Sequence, residues 1–146
     1  MIIDTTYLLP LAKIEIQTDL FSDILRGKLI LDVSQLAINL ISIFELQAKA
    51  SKLGIPPIQV LKAIRFIVKY LKIIDFRDRS VVELSFELRK ILPDYIDCVI
   101  LATAITQDDI LLTEDTRILK IRGRIEEDYG IKIISYKDLI KRKLEK

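Results

Sequence analysis

Short apolar runs alternate with longer amphipathic segments along the whole chain. Six short runs have the length and apolar content of buried strands. They are Met1–Asp4, Leu29–Val33, Gln35–Asn39, Lys72–Phe76, Asp109–Thr113 and Ile131–Ser135. The run Leu29–Val33 is ambiguous, because its pattern fits a helix as well as a strand.

The segments between these runs have the spacing of helices, with apolar residues three and four positions apart. Leu40–Leu53 is a clear case that ends at Gly54, and Ile58–Leu71 is another. Ser80, with Glu83 three residues later, predicts the N-terminus of a further helix. The predicted helices are Thr5–Ile14 (limited or kinked by Pro10), Asp19–Leu25, Leu40–Leu53, Ile58–Leu71, Ser80–Ile91, Asp94–Gln107, Thr116–Ile121 and Tyr136–Glu145.

Strands that alternate with helices indicate βαβ units, and therefore a mostly parallel sheet with right-handed crossovers. A length of 146 residues fits one domain with a full core. No linker, internal repeat or low-complexity segment divides the sequence. We therefore expect a single α/β domain over residues 1–146.

Composition narrows the classes of function. The formal net charge is only +2, so overall charge does not attract nucleic acid, although residues 131–146 hold six basic and two acidic side chains. That basic segment suits either contact with phosphate or a solvated terminal helix. The sequence has no histidine and one cysteine, Cys98, which excludes an intrachain disulfide and a multi-cysteine zinc site. With no long apolar span and no signal peptide, we expect a cytoplasmic protein without membrane contact.

Four acidic residues, Asp4, Glu45, Asp97 and Asp115, carry the candidate chemistry. Asp4 ends the first predicted strand, Asp115 follows the apolar run Ile110–Leu112, and Asp97 opens an apolar helix. Open parallel sheets bind ligands at the carboxyl ends of their strands, where these side chains would gather. Carboxylates so gathered repel one another and require a cation. Without histidine, that cation is expected to be Mg²⁺ or Mn²⁺.

Each of these residues also has an ordinary structural interpretation. Asp4, Asp97 and Asp115 each fit the N-terminus of a helix as capping or first-turn residues. Glu45 fits the wet face of an amphipathic helix. Its immediate neighbours Phe44 and Leu46 are apolar, however, and an acidic side chain in such surroundings needs a partner.

Together these residues carry a resemblance. The segments MIIDTTYLLPL, SIFELQAKA, DYIDCVILATA and ILLTEDTRI resemble, in order, the motifs of the PIN-domain nucleases, and among them the small VapC-like toxins. The resemblance implies a three-layer α/β/α fold with a mostly parallel sheet of about five strands. It also implies a divalent-metal-dependent endoribonuclease. Asp4, Asp97 and Asp115 would hold Mg²⁺ or Mn²⁺, and Glu45 would complete the shell or orient the attacking water.

Two further polar residues are assigned supporting places. Through the resemblance, Thr113 is a supporting hydroxyl beside Asp115. Asp94 lies three residues before Asp97 on nearly the same helical face, which suits either a fifth carboxylate of the site or the cap of the helix after Pro93.

An acidic pocket needs basic residues nearby if it is to hold RNA. The candidates are Arg117 and Lys120 on the short helix after Asp115, and Arg122 and Arg124 in the loop expected to follow. Each also fits a solvated surface charge. We find no aromatic cluster in the sequence that would stack unpaired bases.

The resemblance to toxins implies two protein partners, an antitoxin and a second copy in a homodimer. The aliphatic face of Ile58–Leu71 suits either of them, or packing on its own sheet. Alternative functions are a PIN-fold nuclease for RNA processing without an antitoxin, and a non-catalytic PIN-like binding module. A nucleotide-binding α/β domain is disfavoured because the sequence has no glycine-rich phosphate loop.

Overall fold

Five short strands form one parallel sheet in the middle of the molecule. In this computed structural model, which describes residues 1–144 and the side chains of residues 1–142, the strands are β1 (Ile2–Ile3), β2 (Ala37–Asn39), β3 (Lys72–Ile74), β4 (Leu111–Leu112) and β5 (Ile133–Ile134). Their order is β3-β2-β1-β4-β5, and each neighbouring pair is parallel. The strand order reverses at β1, which is where such sheets leave a crevice for ligands.

Helices cover both faces of the sheet. They are α1 (Leu20–Leu25), α2 (Ile41–Lys52), α3 (Pro57–Tyr70), α4 (Arg79–Leu88), α5 (Tyr95–Thr106), α6 (Thr116–Lys120), α7 (Arg122–Tyr129) and α8 (Tyr136–Leu144), with 3-10 helices at Thr5–Ala12 and Val33–Gln35. None of the helices found in residues 1–144 is both long and apolar enough to cross a membrane.

Two hydrophobic cores lie on opposite faces of the sheet because successive strand residues point in opposite directions. Ile3 and Leu112 face the core that includes the 3-10 helix Thr5–Ala12 with α1, α2, α3 and α8. Ile2 and Leu111 face the core built with α4, α5, α6 and α7. The predicted three-layer α/β/α fold with a parallel sheet of about five strands is confirmed.

The apolar helix predicted after Pro93 is the most deeply buried element. Seven consecutive residues of α5, Cys98–Ala104, are buried, as expected of a helix that is apolar on most sides. At the end of β2, the buried amide of Asn39 donates a 2.8 Å hydrogen bond to the hydroxyl of Thr103, which ties β2 to α5. These contacts fix the position of the α5 N-terminus, where Asp97 lies.

Three local predictions are wrong. Neither a strand nor a helix spans Leu29–Val33: Ile30 is exposed to solvent, and Asp32 caps the 3-10 helix Val33–Gln35. Ser80 does not cap α4, because the Asp78 carboxylate accepts the backbone N–H of Ser80 instead.

The loop predicted around Arg122 and Arg124 is instead helix α7, and Gly123 lies inside it. Only Ile125 of this helix is buried, so its sequence lacks the apolar stripe that predicts a helix. The last predicted helix begins at Tyr136 as expected, and its predicted end, Glu145, lies outside the described residues.

Candidate metal centre

Six carboxylates from separate parts of the chain line one cavity of about 360 Å³ at the carboxyl edge of the sheet. Their side chains belong to Asp4, Glu45, Asp94, Asp97, Glu114 and Asp115, and Thr6, Lys49 and Arg117 line the same cavity. All four acidic residues singled out in the sequence therefore meet in one place. Two cations against six carboxylates leave a strong excess of negative charge.

Asp4 is the most buried of these carboxylates. It follows β1, is 6% exposed, and caps the 3-10 helix by accepting the N–H of Thr5 at 2.6 Å. Its other oxygen accepts a 2.7 Å hydrogen bond from the Thr113 hydroxyl. Burial raises the pKa of Asp4, and the nearby charge of Glu45 raises it further. The side chain is thus fixed in position while its negative charge remains poorly compensated.

Asp97 lies in the first turn of α5, and only 13% of its side chain is exposed. Loss of solvent around it raises the pKa of this carboxyl to about 7, and the charges of Asp115, Asp94 and Asp4 contribute to the rise. The guanidinium of Arg117 opposes the shift, with Nη2 3.3 Å from Oδ2 of Asp97. A raised carboxyl pKa within an acidic cluster indicates a place that a cation would stabilise.

Asp115 and Thr113 follow β4. One oxygen of Asp115 caps α6 by accepting the N–H of Arg117 at 2.8 Å and that of Ile118 at 3.2 Å. Its other oxygen lies 3.6 Å from Nη2 of Arg117. The fully buried Thr113 hydroxyl accepts the backbone N–H of Asp115 at 3.0 Å while it donates to Asp4. Asp115 is therefore both a helix cap and a member of the acidic cavity.

Glu45 reaches the cavity from α2. Its carboxylate pairs with Nζ of Lys49 at 3.2 Å, one turn later on the same helix, and 18% of the side chain is exposed.

The predicted interpretations of Asp94 both have support. It lines the cavity, and it caps α5 by accepting the N–H of Ile96 at 2.8 Å and that of Asp97 at 3.3 Å.

Sequence reasoning missed Glu114. Its Oε1 accepts hydrogen bonds from the Tyr7 hydroxyl at 2.6 Å and from the backbone N–H of Tyr136 at 2.7 Å. It therefore connects three distant segments behind the cavity. Its position between Thr113 and Asp115 was the only local signal, since both tyrosine contacts depend on the folded chain.

The predicted basic residues separate into different places. Arg117 lies in the acidic cavity, whereas Lys120 and Arg122 line a second cavity. Arg124 pairs with Asp128 one turn along α7 at 3.5 Å and lines neither cavity.

The surface near the acidic cavity also has aromatic residues that the sequence did not show as a group. Phe76 and Tyr95 line an apolar cavity of about 460 Å³, and the ring of Phe86 packs edge to face against Tyr95 with 5.9 Å between the ring centres.

The donors of the acidic cavity fit a hard divalent cation. They are carboxylate oxygens together with one threonine hydroxyl, the ligand types that Mg²⁺ and Mn²⁺ prefer. Within residues 1–144, however, no three acidic, histidine or cysteine side chains stand close enough to hold a metal ion as they are. Arg117 instead bridges Asp97 and Asp115, and Lys49 pairs with Glu45. Both cations are about half exposed, so they have room to move aside for a metal.

Comparisons with known proteins identify the family and the fold of this chain. The family model described as PIN domain matches residues 1–124. A chain of a toxin–antitoxin complex from Klebsiella pneumoniae is similar in structure, with a TM-score of 0.58 and 23% sequence identity over 89% of this chain and 93% of that one. A chain of VapBC2 from Rickettsia felis, solved with a DNA fragment from its promoter, gives a TM-score of 0.61 and 20% identity over 92% and 97% of the two chains. A comparison with curated protein sequences gives no match.

Proposed function

Because this chain belongs to the PIN domain family, whose members are nucleases, we propose that it is a divalent-metal-dependent endoribonuclease that cleaves RNA phosphodiester bonds. The observation that carries the proposal is the meeting of Asp4, Glu45, Asp97 and Asp115 around one cavity. Residues separated by up to 111 positions converge there, and helix capping alone does not require that convergence. The raised pKa of Asp97 supports it further, because burial and the neighbouring carboxylates outweigh the guanidinium of Arg117 there.

Each residue around the acidic cavity has a proposed role in RNA cleavage. Asp4, Asp97 and Asp115 would hold Mg²⁺ or Mn²⁺, which supplies a bound water of lowered pKa and neutralises charge on the phosphate. Thr113 holds the Asp4 carboxylate in place through its hydrogen bond. Glu45, which lines the cavity from α2, would complete the metal shell or orient the attacking water. Arg117, once released from Asp97, donates to a phosphate oxygen of the RNA.

The test is cleavage of a labelled RNA in Mn²⁺, in Mg²⁺ and in EDTA, with the wild-type protein and Asp97→Asn side by side. We expect cleavage that requires the metal and is lost in the variant. Cleavage that persists in EDTA would disprove metal dependence. Equal cleavage by Asp97→Asn would place the active site elsewhere.

We further propose that this nuclease is the toxin of a toxin–antitoxin pair. Support comes from the two structural relatives, both described as toxin–antitoxin proteins. Induced expression should then stop growth of a bacterial host, and Asp97→Asn should not. A short DNA-binding protein encoded beside this gene should restore growth. Normal growth with full nuclease activity in vitro would favour RNA processing without an antitoxin. Absence of both effects would favour a non-catalytic binding module.

A protein partner has a candidate surface on α3. Ala63 and Ile67 of this helix are buried, whereas Ile58, Leu61 and Val68 are between 51% and 59% exposed. The apolar face predicted for this helix is thus only partly used by its own core. We propose that the exposed part contacts an antitoxin or a second copy of the chain, in the cytoplasm. Light scattering of the protein alone separates the two, since only the second gives a dimer without an added partner.

A further inference from the structure

A second cavity, of about 610 Å³, lies at the edge of the sheet formed by β5. Ile133 and Ile134 of β5 and Leu119 of α6 form its apolar lining. Four basic residues from three helices surround it: Lys120 of α6, Arg122 of α7, and Lys141 and Arg142 of α8. We call these four residues and the space between them the basic cleft.

Among the side chains of residues 1–142, the charge of the basic cleft is positive even after its acidic residues are counted. Two carboxylates, Glu126 and Asp138, also line it. Asp138 is half-buried and already engaged, because it accepts hydrogen bonds from the N–H and hydroxyl of Ser135 at 3.0 and 2.9 Å. It also pairs with Nη1 of Arg122 at 3.1 Å. Three cations then remain opposite Glu126, which favours an anionic ligand.

The basic cleft is adjacent to the acidic cavity. Arg117 and Lys120 are three positions apart on α6, so they are neighbours on the helix surface, about 5–6 Å apart at their Cβ atoms. Arg117 lines the acidic cavity and Lys120 lines the basic cleft. A row of cations thus leads from the carboxylates to the cleft.

We propose that the basic cleft binds backbone phosphates of the RNA segment next to the bond that is cut. This inference rests on the proposed function, because it assigns the place of the substrate. An RNA phosphate brought to a cavity of six carboxylates is repelled by them. Of the described side chains, Lys49 and Arg117 alone oppose the repulsion inside it. Cations one helical turn away hold the flanking phosphates and so offset that repulsion. Contacts of this kind position the strand without selecting its bases.

The test compares two triple variants with the same change in charge. Lys120→Gln/Lys141→Gln/Arg142→Gln removes two lysines and one arginine from the cleft. Lys62→Gln/Arg65→Gln/Lys69→Gln removes the same residue types from α3, where they are exposed and line neither cavity. Binding of a fluorescein-labelled single-stranded RNA of mixed sequence is measured in EDTA, over a series of salt concentrations. Since no cleavage occurs in EDTA, the result does not depend on nuclease activity.

We expect the cleft variant to bind the RNA roughly tenfold more weakly at moderate salt, with a slope of log affinity against log salt that is shallower by about two. The α3 variant should bind as the wild type does. The charge-conserving variant Lys120→Arg/Lys141→Arg/Arg142→Lys should restore binding, which separates charge from shape. In the metal-activated assay, the cleft variant should have a raised KM for a long RNA and an unchanged kcat.

Three results would overturn the inference. One is equal binding by the cleft variant and the wild type when both show normal thermal melting. Another is the absence of RNA binding by the wild type. The last concerns polyglutamate, measured in the same binding assay. If the cleft variant loses binding to polyglutamate but binds RNA as the wild type does, the cleft is a site for an acidic peptide. Wild-type RNA cleavage together with the first result would leave the proposed nuclease function standing.

Discussion

The hydroxyl of Thr113 donates a 2.7 Å hydrogen bond to Oδ2 of Asp4, although 109 positions separate the two residues. Both side chains are buried. The same hydroxyl accepts the backbone N–H of Asp115 at 3.0 Å. One side chain at the end of β4 therefore sets the positions of two carboxylates of the acidic cavity.

Replacing Thr113 with valine removes this hydroxyl at nearly constant size. We expect RNA cleavage to fall by roughly ten- to a hundredfold, because residues that orient metal ligands commonly have effects of that size. The lost hydrogen bonds should lower the free energy of unfolding by about 1–2 kcal/mol. Cleavage assays and urea denaturation measure the two effects. Thr113→Ser keeps the hydroxyl and should retain most of the activity, and full activity in the valine variant would show that the contact is unimportant.

Asp97→Asn should abolish cleavage and leave the fold intact. The change removes one negative charge from a place where burial, and then repulsion by the neighbouring carboxylates, raises the pKa of Asp97. The metal-free variant should therefore melt at the same temperature as the wild type or higher. The measurements are cleavage in Mn²⁺ and thermal melting in EDTA. Asp128→Asn, a change at a half-exposed carboxylate paired with Arg124, serves as the control and should affect neither. A marked loss of stability in Asp97→Asn would contradict the account of repulsion.

Without metal, stability should depend on pH through Asp97. Its pKa rises from an ordinary value of 3.8 to about 7 in the folded chain, so between these values the folded state binds a proton that the unfolded state does not. The free energy of unfolding should then decrease as pH rises from about 4 to about 7, and the contribution should be constant above that. Burial of Asp4 raises its pKa in the same direction. Melting in EDTA at a series of pH values measures the slope.

Two comparisons test that assignment of the pH dependence. Asp97→Asn should flatten the slope, because the variant has no carboxyl at that position. Saturating Mn²⁺ should also remove it in the wild type, because a bound cation favours the ionised carboxylate. An unchanged slope in Asp97→Asn would assign the dependence to other groups.

The sequence predicted best those site residues that also stand beside a recognisable strand or helix pattern. Asp4 and Asp115 each follow an apolar run that became a strand, and parallel strands bring their carboxyl ends together. The site depends equally on contacts that no local pattern contains. Glu114 meets Tyr7 and Tyr136 only after the chain folds. Helix α7 was not predicted, because its one buried residue, Ile125, does not make an apolar stripe in the sequence.

Asp94 can be assigned by two substitutions. It caps α5 through the N–H groups of Ile96 and Asp97, and asparagine caps helices about as well as aspartate. If capping is its role, Asp94→Asn should keep the free energy of unfolding of the wild type and cleave RNA at a rate within about threefold of it. Asp94→Ala should lower the free energy of unfolding by about 1 kcal/mol. Chemical denaturation and cleavage rates measure these outcomes. A loss of cleavage in Asp94→Asn as large as that in Asp97→Asn would instead make Asp94 a metal ligand.

Arg117 should compete with the metal ion in the free protein. Its Nη2 lies 3.3 Å from Asp97 and 3.6 Å from Asp115, so it partly neutralises two of the carboxylates that we propose as ligands. Arg117→Gln should therefore bind Mn²⁺ about two- to fivefold more tightly, a range that reflects the modest strength of half-exposed ion pairs. The same variant should melt at a lower temperature in EDTA and have a higher KM for RNA, because it loses a contact to phosphate. Isothermal titration with Mn²⁺ measures the first effect. Arg79→Gln, at an exposed arginine paired with Glu83 on α4, should leave Mn²⁺ affinity unchanged. Weaker Mn²⁺ binding by Arg117→Gln would mean that the guanidinium supports the metal site, and the proposed competition would be wrong.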